Sequence, residues 1–413
     1  MTSVSPTHAT KHPESGLAPS KLDHVQRHLR RYVDNGQLPG YACLVQRRGH
    51  EALFTSHGQR DVERNLPITR DTLFRIYSMT KPITSVAMMT LYEQGAFQLD
   101  DPVAKYIPSW ANLKVYAGGD PSTMRTKRPD RDMTIKDLMT HTSGLTYGFL
   151  HAHPVDALYR KHKIGGIDHS TNLQDMIDAL AQLPLQFSPG TRWNYSVATD
   201  VLGYLVQQLS DQPLDEYIKE RITTPLGMQD TSFQVPKDQL DRFAACYQKH
   251  PTDNRFNLLE SPLDSPYAQA PKMLSGGGGM VSTIDDYQRF ADMLLNRGHH
   301  KGHPILGRKT MEYMTLNHLP NGGDLASMGQ SHFAETSFDG IGFGLGFSVV
   351  INPADANVLD SVGEFAWGGA ASTYFWVDPE EDLTVIFMTQ LMPSSAYPIR
   401  RQLKALVYQA IID

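Results

Sequence analysis

Cysteine is scarce in this chain of 413 residues. Only Cys43 and Cys246 occur, far apart in the sequence and without a Cys-x-x-Cys spacing. Neither a disulfide framework nor a zinc knuckle is therefore indicated. His299, His300 and His303 lie close together, but no carboxylate stands near them at ligand spacing. We expect no metal ion there, and no other pattern predicts a cofactor.

Long apolar runs are also missing. The largely apolar residues 86–91 are soon followed by Glu93 and Gln94, well short of the roughly 18 apolar residues that a membrane helix needs. Residues 1–20 are rich in Ser, Thr, Pro and His and lack the apolar core of a secretory signal. We expect a disordered leader over residues 1–20, no membrane contact and a cytoplasmic location.

Runs of basic residues are absent as well. Charged residues make up 20% of the chain and the formal net charge is −6. No lysine or arginine run is long enough to follow a phosphate backbone, so a nucleic acid is not an expected partner. The length allows two lobes with a sizeable core. The sequence gives no indication of the oligomeric state.

Helix and strand patterns predict an α/β protein with a helical insertion. Helical patterns cover residues 21–35 and 79–94, and strand patterns cover residues 41–46, 51–55 and 58–62. Strand patterns return at residues 342–350, 370–377 and 383–389, before a last helix at residues 397–411. We predict a discontinuous α/β domain of residues 21–100 and 260–413 around a mainly helical domain of residues 101–259.

Ser78-Met79-Thr80-Lys81 is the only Ser-x-x-Lys in the chain. A spacing of three places both side chains on one face of a helix, about 5 to 6 Å apart at Cβ. Ser78 lies at the start of the predicted helix, because Pro82 fits only in the first turn. A lysine there can act as base for the serine hydroxyl. A capping serine and a surface lysine would explain the same tetrapeptide.

Trp193-Asn194-Tyr195-Ser196 stands between a Pro-Gly turn and an apolar helical pattern. The phenol of Tyr195 could accept the serine proton and return it to a leaving alcohol. The alternative is a tyrosine whose ring anchors the start of the helix.

The third element is Trp367-Gly368-Gly369-Ala370, which leads into a β-rich run. Two glycines at a strand entry allow the backbone to approach a ligand closely. An exposed edge strand could offer the Ala370 N–H, with that of Ser78, as an oxyanion hole. A plain glycine bulge is the alternative.

In their order and approximate separation, these three elements resemble the serine β-lactamase and penicillin-recognising family, and most closely the family VIII carboxylesterases. Further matches are Leu138-Met139-Thr140-His141-Thr142-Ser143-Gly144-Leu145, residues 276–283 and residues 363–369. The resemblance covers roughly residues 22–412. It implies the β-lactamase/transpeptidase-like fold, an antiparallel sheet flanked by helices with a mainly helical second domain.

The resemblance also implies the roles of individual residues. Ser78 would be the acyl-accepting nucleophile, Lys81 and Tyr195 the proton-transfer pair, and Ala370 the oxyanion donor. Trp367, Gly368, Gly369 and Tyr147 are the predicted substrate contacts. His141 matches a structural stretch, so we expect it to pack or to hydrogen-bond.

Two departures from class C β-lactamases bear on the substrate. Val197 stands where their Tyr-x-Asn motif has asparagine, and Trp367-Gly368-Gly369 replaces Lys-Thr-Gly. Both changes remove polar groups, and an aromatic wall at Trp367 suits an uncharged ester. We therefore predict a serine carboxylesterase for short-chain or accessible small-molecule esters, with possible acyl transfer to alcohols. The alternatives are a β-lactamase or D-amino-acid peptidase, and a non-catalytic binding protein on the same fold.

Overall fold

The computed structural model describes residues 13–165, 171–253, 255–329 and 338–413. The α-helices in these residues are α1 (Pro19–Asp34), α2 (Thr80–Glu93), α3 (Ile135–Met139), α4 (Pro154–Lys161), α5 (Leu173–Leu180), α6 (Ala198–Ser210), α7 (Leu214–Ile218), α8 (Thr224–Leu226), α9 (Ile284–Leu295), α10 (Arg308–Met314), α11 (Leu325–Met328), α12 (Pro353–Ala356) and α13 (Ile399–Tyr408). No described helix combines the length and apolar character needed to cross a membrane.

The strands are short apart from the first two. They are β1 (Gly40–Arg47), β2 (His50–Asp61), β3 (Leu66–Pro67), β4 (Phe74–Arg75), β5 (Val115–Gly118), β6 (Arg125–Lys127), β7 (Cys246–Lys249), β8 (Phe256–Glu260), β9 (Val281–Ser282), β10 (His299–His300), β11 (His303–Pro304), β12 (Ile341–Phe343), β13 (Ser348–Val350), β14 (Phe365–Gly368), β15 (Tyr374–Asp378), β16 (Leu383–Met388) and β17 (Leu391–Met392).

An eight-stranded sheet in the order β12-β13-β14-β15-β16-β1-β2-β3 forms the centre of the fold. All its pairings are antiparallel. Side chains alternate between its two faces, as the strand period of two requires. In β1, Ala42 and Leu44 enter one core cluster, while Tyr41, Cys43 and Val45 enter the other. Each face of the sheet therefore carries its own core.

Helices cover both faces of the sheet. On one face α1 and α13 pack against the sheet and against each other, burying Leu29 and Leu403. On the other face lies the larger core, to which α2, α6 and α9 contribute. In α2 all residues from Thr80 to Leu91 are buried, as expected for a helix that is largely apolar all round. The turn of residues 77–79 that carries Ser78 packs against β14, and α2, which follows it, packs against α6.

The predicted fold class is confirmed, with corrections at several elements. Residues 342–350 were predicted as one strand, but they form β12 and β13. The break is a tight turn in which Gly344 N–H donates to Phe347 O across 2.8 Å, and Gly346 has φ of 102°. Apolar residues alternate without interruption through the two strands and the turn, at Phe343, Leu345, Phe347 and Val349. The pattern therefore gives no sign of the turn.

The prediction of a disordered leader over residues 1–20 was wrong for residues 13–20. Leu17 is buried and bridges to Ile411, Ala18 N–H donates to Ala410 O across 2.8 Å, and α1 begins at Pro19. Docking against the C-terminal segment orders this stretch despite its polar composition. Residues 1–12 lie outside the described residues.

The proposed division into two domains stays a prediction. Residues 101–259 contain α3 to α8 but also the β5–β6 hairpin, and the predicted boundary falls inside β8. Ile83, Leu202 and Phe375 belong to one core cluster. The two predicted segments thus share a continuous apolar core.

Candidate active site

Ser78 lies at the junction of β4 and α2, within a short 3₁₀ turn formed by Tyr77–Met79. Tyr77 has φ of 43°, a conformation that bulky residues rarely adopt. Its ring is buried and its hydroxyl lies 3.9 Å from Cys246 Sγ, contacts that hold it in place. The Ser78 side chain therefore stands at the helix N-terminus, where backbone dipoles favour negative charge.

Lys81 and Tyr195 both reach the Ser78 hydroxyl. Lys81 Nζ donates to Ser78 Oγ across 3.2 Å, and Tyr195 OH donates to the same atom across 2.5 Å. Tyr195 lies in the loop before α6, as the sequence predicted. The structure thus brings together the three residues predicted to carry the chemistry.

The Lys81 ammonium is enclosed by aromatic rings and oxygen acceptors. The residue is 2% exposed, and Nζ donates to Tyr147 OH across 3.1 Å and to Gly277 O across 2.7 Å. It also lies 4.5 Å from the centre of the Tyr195 ring, within range of a cation–π attraction. Burial, followed by the charges of Asp200 and Tyr195, raises the pKa of Tyr147 well above its usual value, so Tyr147 stays a neutral hydroxyl.

Asp200 is a site residue that the sequence did not reveal. Its carboxylate, 2% exposed, accepts from Gly277 N–H across 3.0 Å and from Ser275 Oγ across 2.5 Å. Burial raises the pKa of this carboxyl, and Lys81 opposes the rise. A Cβ at Gly277 would lie 2.6 Å from the Asp200 side chain, so glycine is required for this contact. The only sequence signal was the glycine-rich match at residues 276–283.

His141 does not contact the nucleophile through any described hydrogen bond. Its Nδ1 pairs with Ser196 Oγ at 3.1 Å, and its ring packs 5.2 Å from that of Tyr195. Burial, with a smaller effect of Lys81, holds its pKa well below the usual value. His141 is therefore neutral and packs behind Tyr195, in keeping with the expected role.

The segment carrying Ala370 is not at the edge of the sheet, contrary to the sequence prediction. Strand β14 lies between β13 and β15. Its pairing with β13 ends at Ala366, opposite Ser348, while Trp367 and Gly368 continue along β15. Residues 369–373 then form a turn, which we call the 369–373 turn, so β15 begins only at Tyr374. A short neighbouring strand, rather than an edge position, leaves this end of β14 open.

The 369–373 turn packs directly against the segment that precedes Ser78. A Cβ at Gly369 would lie 2.5 Å from Ile76 O and 2.2 Å from Thr373 Oγ1, so no side chain fits there. Ala370 lines the same cavity as Ser78. Its N–H finds no hydrogen-bond acceptor within the described part of the chain. The Ala370 N–H is thus available to a substrate oxygen.

A cavity of about 210 Å³ contains the Ser78 hydroxyl. Its lining includes the predicted Tyr195, Tyr147, Trp367, Gly368, Gly369 and Ala370, and three aromatic residues that were not predicted, Phe149, Trp193 and Phe338. The Trp367 ring lies 5.5 Å from that of Tyr195. Val197 is fully buried, and Gly165 packs against it. The walls therefore combine aromatic rings near the nucleophile with charged side chains, namely Asp200, Asp360, Glu364, Arg400, Arg401 and Lys404.

The part of the chain that the structure describes holds no group of three or more His, Cys, Asp or Glu side chains suited to a metal ion. His299 and His300 form β10, and His303 belongs to β11.

Comparison with known proteins adds three relatives. An uncharacterized protein of Mycobacterium tuberculosis is 36% identical over 90% of this chain and 90% of its own length. Esterase EstB of Burkholderia gladioli is 31% identical over 86% of each chain. The solved structure of EstCE1, described as a hydrolase with promiscuous acyltransferase activity, superposes with a TM-score of 0.78 at 27% identity, covering 94% of this chain and 98% of the other.

The family model named Beta-lactamase matches residues 25–409. This match spans the nucleophile, the loop before α6 and the 369–373 turn. The chain belongs to the Beta-lactamase family.

Proposed function

We propose that this protein is a serine carboxylesterase that forms an acyl-enzyme on Ser78 and also transfers the acyl group to alcohols. The observation that carries the proposal is the convergence of Lys81 Nζ and Tyr195 OH on Ser78 Oγ inside an aromatic cavity. The esterase and the hydrolase with acyltransferase activity among its relatives support the same chemistry.

Acylation begins when Ser78 Oγ attacks the ester carbonyl carbon. The serine proton passes to the Lys81–Tyr195 pair. The carbonyl oxygen becomes an oxyanion and accepts hydrogen bonds from the Ala370 and Ser78 N–H groups. Collapse of this intermediate breaks the bond to the alcohol oxygen, which takes the proton from Tyr195. The alcohol leaves, and the acyl group remains bonded to Ser78 Oγ.

Deacylation repeats these steps with a second nucleophile. Water attacks the acyl carbon and gives its proton to the same pair, which returns a proton to Ser78 Oγ as the carboxylic acid leaves. An alcohol in place of water yields a new ester instead. Hydrolysis and acyl transfer therefore need the same residues, and the nucleophile that occupies the cavity decides the product.

The two positions at which the chain departs from class C β-lactamases favour esters over β-lactams. Trp367 occupies the position of the lysine in Lys-Thr-Gly, and the fully buried Val197 occupies that of the asparagine in Tyr-x-Asn. At these two positions a substrate carboxylate would thus find no charged hydrogen-bond donor, a contact worth roughly 1.5 to 3 kcal/mol. The cytoplasmic location is also part of this proposal, since Cys43 and Cys246 are both free and buried.

The test compares ester and β-lactam hydrolysis by matched variants. p-Nitrophenyl acetate, butyrate and octanoate are measured beside nitrocefin for wild type, Ser78→Ala and Ser85→Ala. Ser85 is a buried serine of the same helix. We expect wild type and Ser85→Ala to hydrolyse the esters, nitrocefin to react poorly, and Ser78→Ala to be inactive. Full activity in Ser78→Ala would overturn the mechanism, and preference for nitrocefin would overturn the substrate class.

A further inference from the structure

The guanidinium of Arg400, on α13, is bonded to both ends of the 369–373 turn. Its Nη2 donates to Gly369 O and to Thr373 O, each across 3.1 Å. The same two carbonyls close the turn itself, because Gly369 N–H donates to Thr373 O across 2.9 Å and Ser372 N–H to Gly369 O across 3.1 Å. One side chain therefore holds together the two residues that begin and end this turn.

Other contacts hold the turn from different directions. Gly369 packs on Ile76 O, just before the nucleophile. Beyond Ala370, Leu391 N–H donates to Ala371 O across 3.1 Å and Ser372 Oγ donates to Leu391 O across 2.7 Å. Arg400 supplies the contact from the helix that covers the opposite face of the sheet. Without the Arg400 side chain, the Gly369 and Thr373 carbonyls would lose their hydrogen bonds to α13.

The position of the guanidinium is itself closely defined. Its Cζ lies 5.0 Å from the centre of the Tyr374 ring, where a planar cation stacks favourably. A Cβ at Gly368 would lie 2.5 Å from the guanidinium carbon, so the absence of a side chain there provides its space. Gly368, the first glycine of the motif, thus leaves space for Arg400, while Gly369 allows the close contact with Ile76.

We infer that Arg400 is a positioning residue for the oxyanion hole, acting through the 369–373 turn on the Ala370 N–H. This inference rests on the proposed function. Arg400 lines the same cavity as Ser78, and its guanidinium is hydrogen-bonded to the backbone of the turn. It fixes a hydrogen-bond donor whose partner, the oxyanion, carries its full charge only in the transition state. Losing such a contact lowers kcat more than it raises KM.

Two different substitutions test this role. Arg400→Ala removes the guanidinium, whereas Gly368→Ala introduces a methyl group that displaces it. Arg400→Lys keeps the charge without the planar fork. Gln402→Ala is the control, because Gln402 lies on the same helix but accepts from Tyr32 OH across 2.8 Å, away from the turn. Thermal melts identify variants that fold as wild type does.

The measurements are kcat and KM for p-nitrophenyl butyrate, and the inhibition constant of a trifluoromethyl ketone, whose adduct with Ser78 places an oxyanion in the hole. We expect Arg400→Ala and Gly368→Ala to lose roughly tenfold to a hundredfold in kcat, below the loss from deleting a donor outright. KM should change little, ketone affinity should fall with kcat, and Arg400→Lys should be intermediate. Gln402→Ala should match wild type.

The inference is overturned if folded Arg400→Ala keeps wild-type kcat, or if ketone affinity does not fall with kcat. It is also overturned if Gln402→Ala shows the same loss, since undocking of α13 would then be the cause. Failure of the proposed function looks different, because wild type would then neither hydrolyse the ester nor bind the ketone at Ser78.

Discussion

The phenolic oxygen of Tyr195 lies 2.5 Å from Ser78 Oγ, closer than the Lys81 amine at 3.2 Å. The two residues are 117 positions apart in the chain, and the contact joins the start of α2 to the loop before α6. Because its hydroxyl reaches the nucleophile directly, Tyr195 is placed to hand a proton to the departing alcohol.

Tyr195→Phe should keep the aromatic ring and remove the hydroxyl that carries the proton. We expect kcat/KM for p-nitrophenyl butyrate to fall roughly a hundredfold or more, in the range of general acid–base catalysis. The loss should be larger for an ethyl ester, because a poorer leaving group depends more on protonation. Tyr204→Phe, in α6 and bonded to Gln174, serves as the control. Equal losses for both esters would contradict a role in protonating the alcohol.

Asp200→Asn should alter the pH dependence of the reaction. The amide can still accept from Gly277 N–H, but the negative charge near Lys81 is lost. Burial raises the pKa of the Asp200 carboxyl, so its protonation contributes to the acidic limb of the wild-type kcat/KM profile, and this contribution should be lost in Asp200→Asn. Asp286→Asn is the control, since Asp286 is a buried carboxyl bonded to Asp230 N–H. An unmoved acidic limb would show that Asp200 acts by shape alone.

Trp367→Lys should shift preference from esters towards β-lactams. The substitution places a cation beside the expected position of a substrate carboxylate. It also removes one of the aromatic rings that line the cavity. We expect the ratio of nitrocefin to p-nitrophenyl butyrate kcat/KM to rise about tenfold, the value of one charged hydrogen bond. Trp367→Met, which adds no charge, should lower ester turnover without raising the ratio. A similar rise in both variants would mean that space, not charge, excludes β-lactams.

Stability should fall in mild acid, with a contribution from His141. Its pKa is well below 6.5 in the folded protein because of burial, so the unfolded chain binds more protons below pH 6.5. The free energy of unfolding then decreases as pH falls, by up to about 1.4 kcal/mol per pH unit for this group. His141→Asn, which tolerates the φ of 56°, should flatten the decrease between pH 7.5 and 5.5. Urea melts measure this, and exposed His24→Asn should leave the slope unchanged.

Lys404, a residue of α13, forms a buried network of ion pairs. Its Nζ contacts Asp360 at 2.6 Å and Glu364 at 2.7 Å, and both carboxylates are 1% exposed. Lys404→Met should cost about 3 to 5 kcal/mol of unfolding free energy, because it leaves buried carboxylates unpaired. Adding Glu364→Gln should recover part of this loss. Lys309→Ala, which removes an exposed pair, should cost less than about 1 kcal/mol; equal losses in denaturant melts would contradict the argument.

Elements with local signals could be predicted from the order of the residues. The helical pattern that follows Ser78 and the spacing of three to Lys81 placed the amine beside the hydroxyl. The apolar run that begins at Tyr41 predicted a strand over residues 41–46, and the resemblance of three separated motifs implied the fold. The helix, the spacing and the strand depend on neighbours in the chain, so residue order is enough to indicate them.

Features that depend on contacts between distant segments became visible only in the folded chain. Asp200 joins the site because α6 packs beside the 275–277 loop, and Arg400 joins it because α13 crosses the end of β14. β14 lies inside the sheet because β13 folds back beside it, and residues 13–20 are ordered because they dock on the C-terminal segment. Such contacts depend on which surfaces meet once the core is packed. The spacing of residues along the chain does not show which surfaces those are.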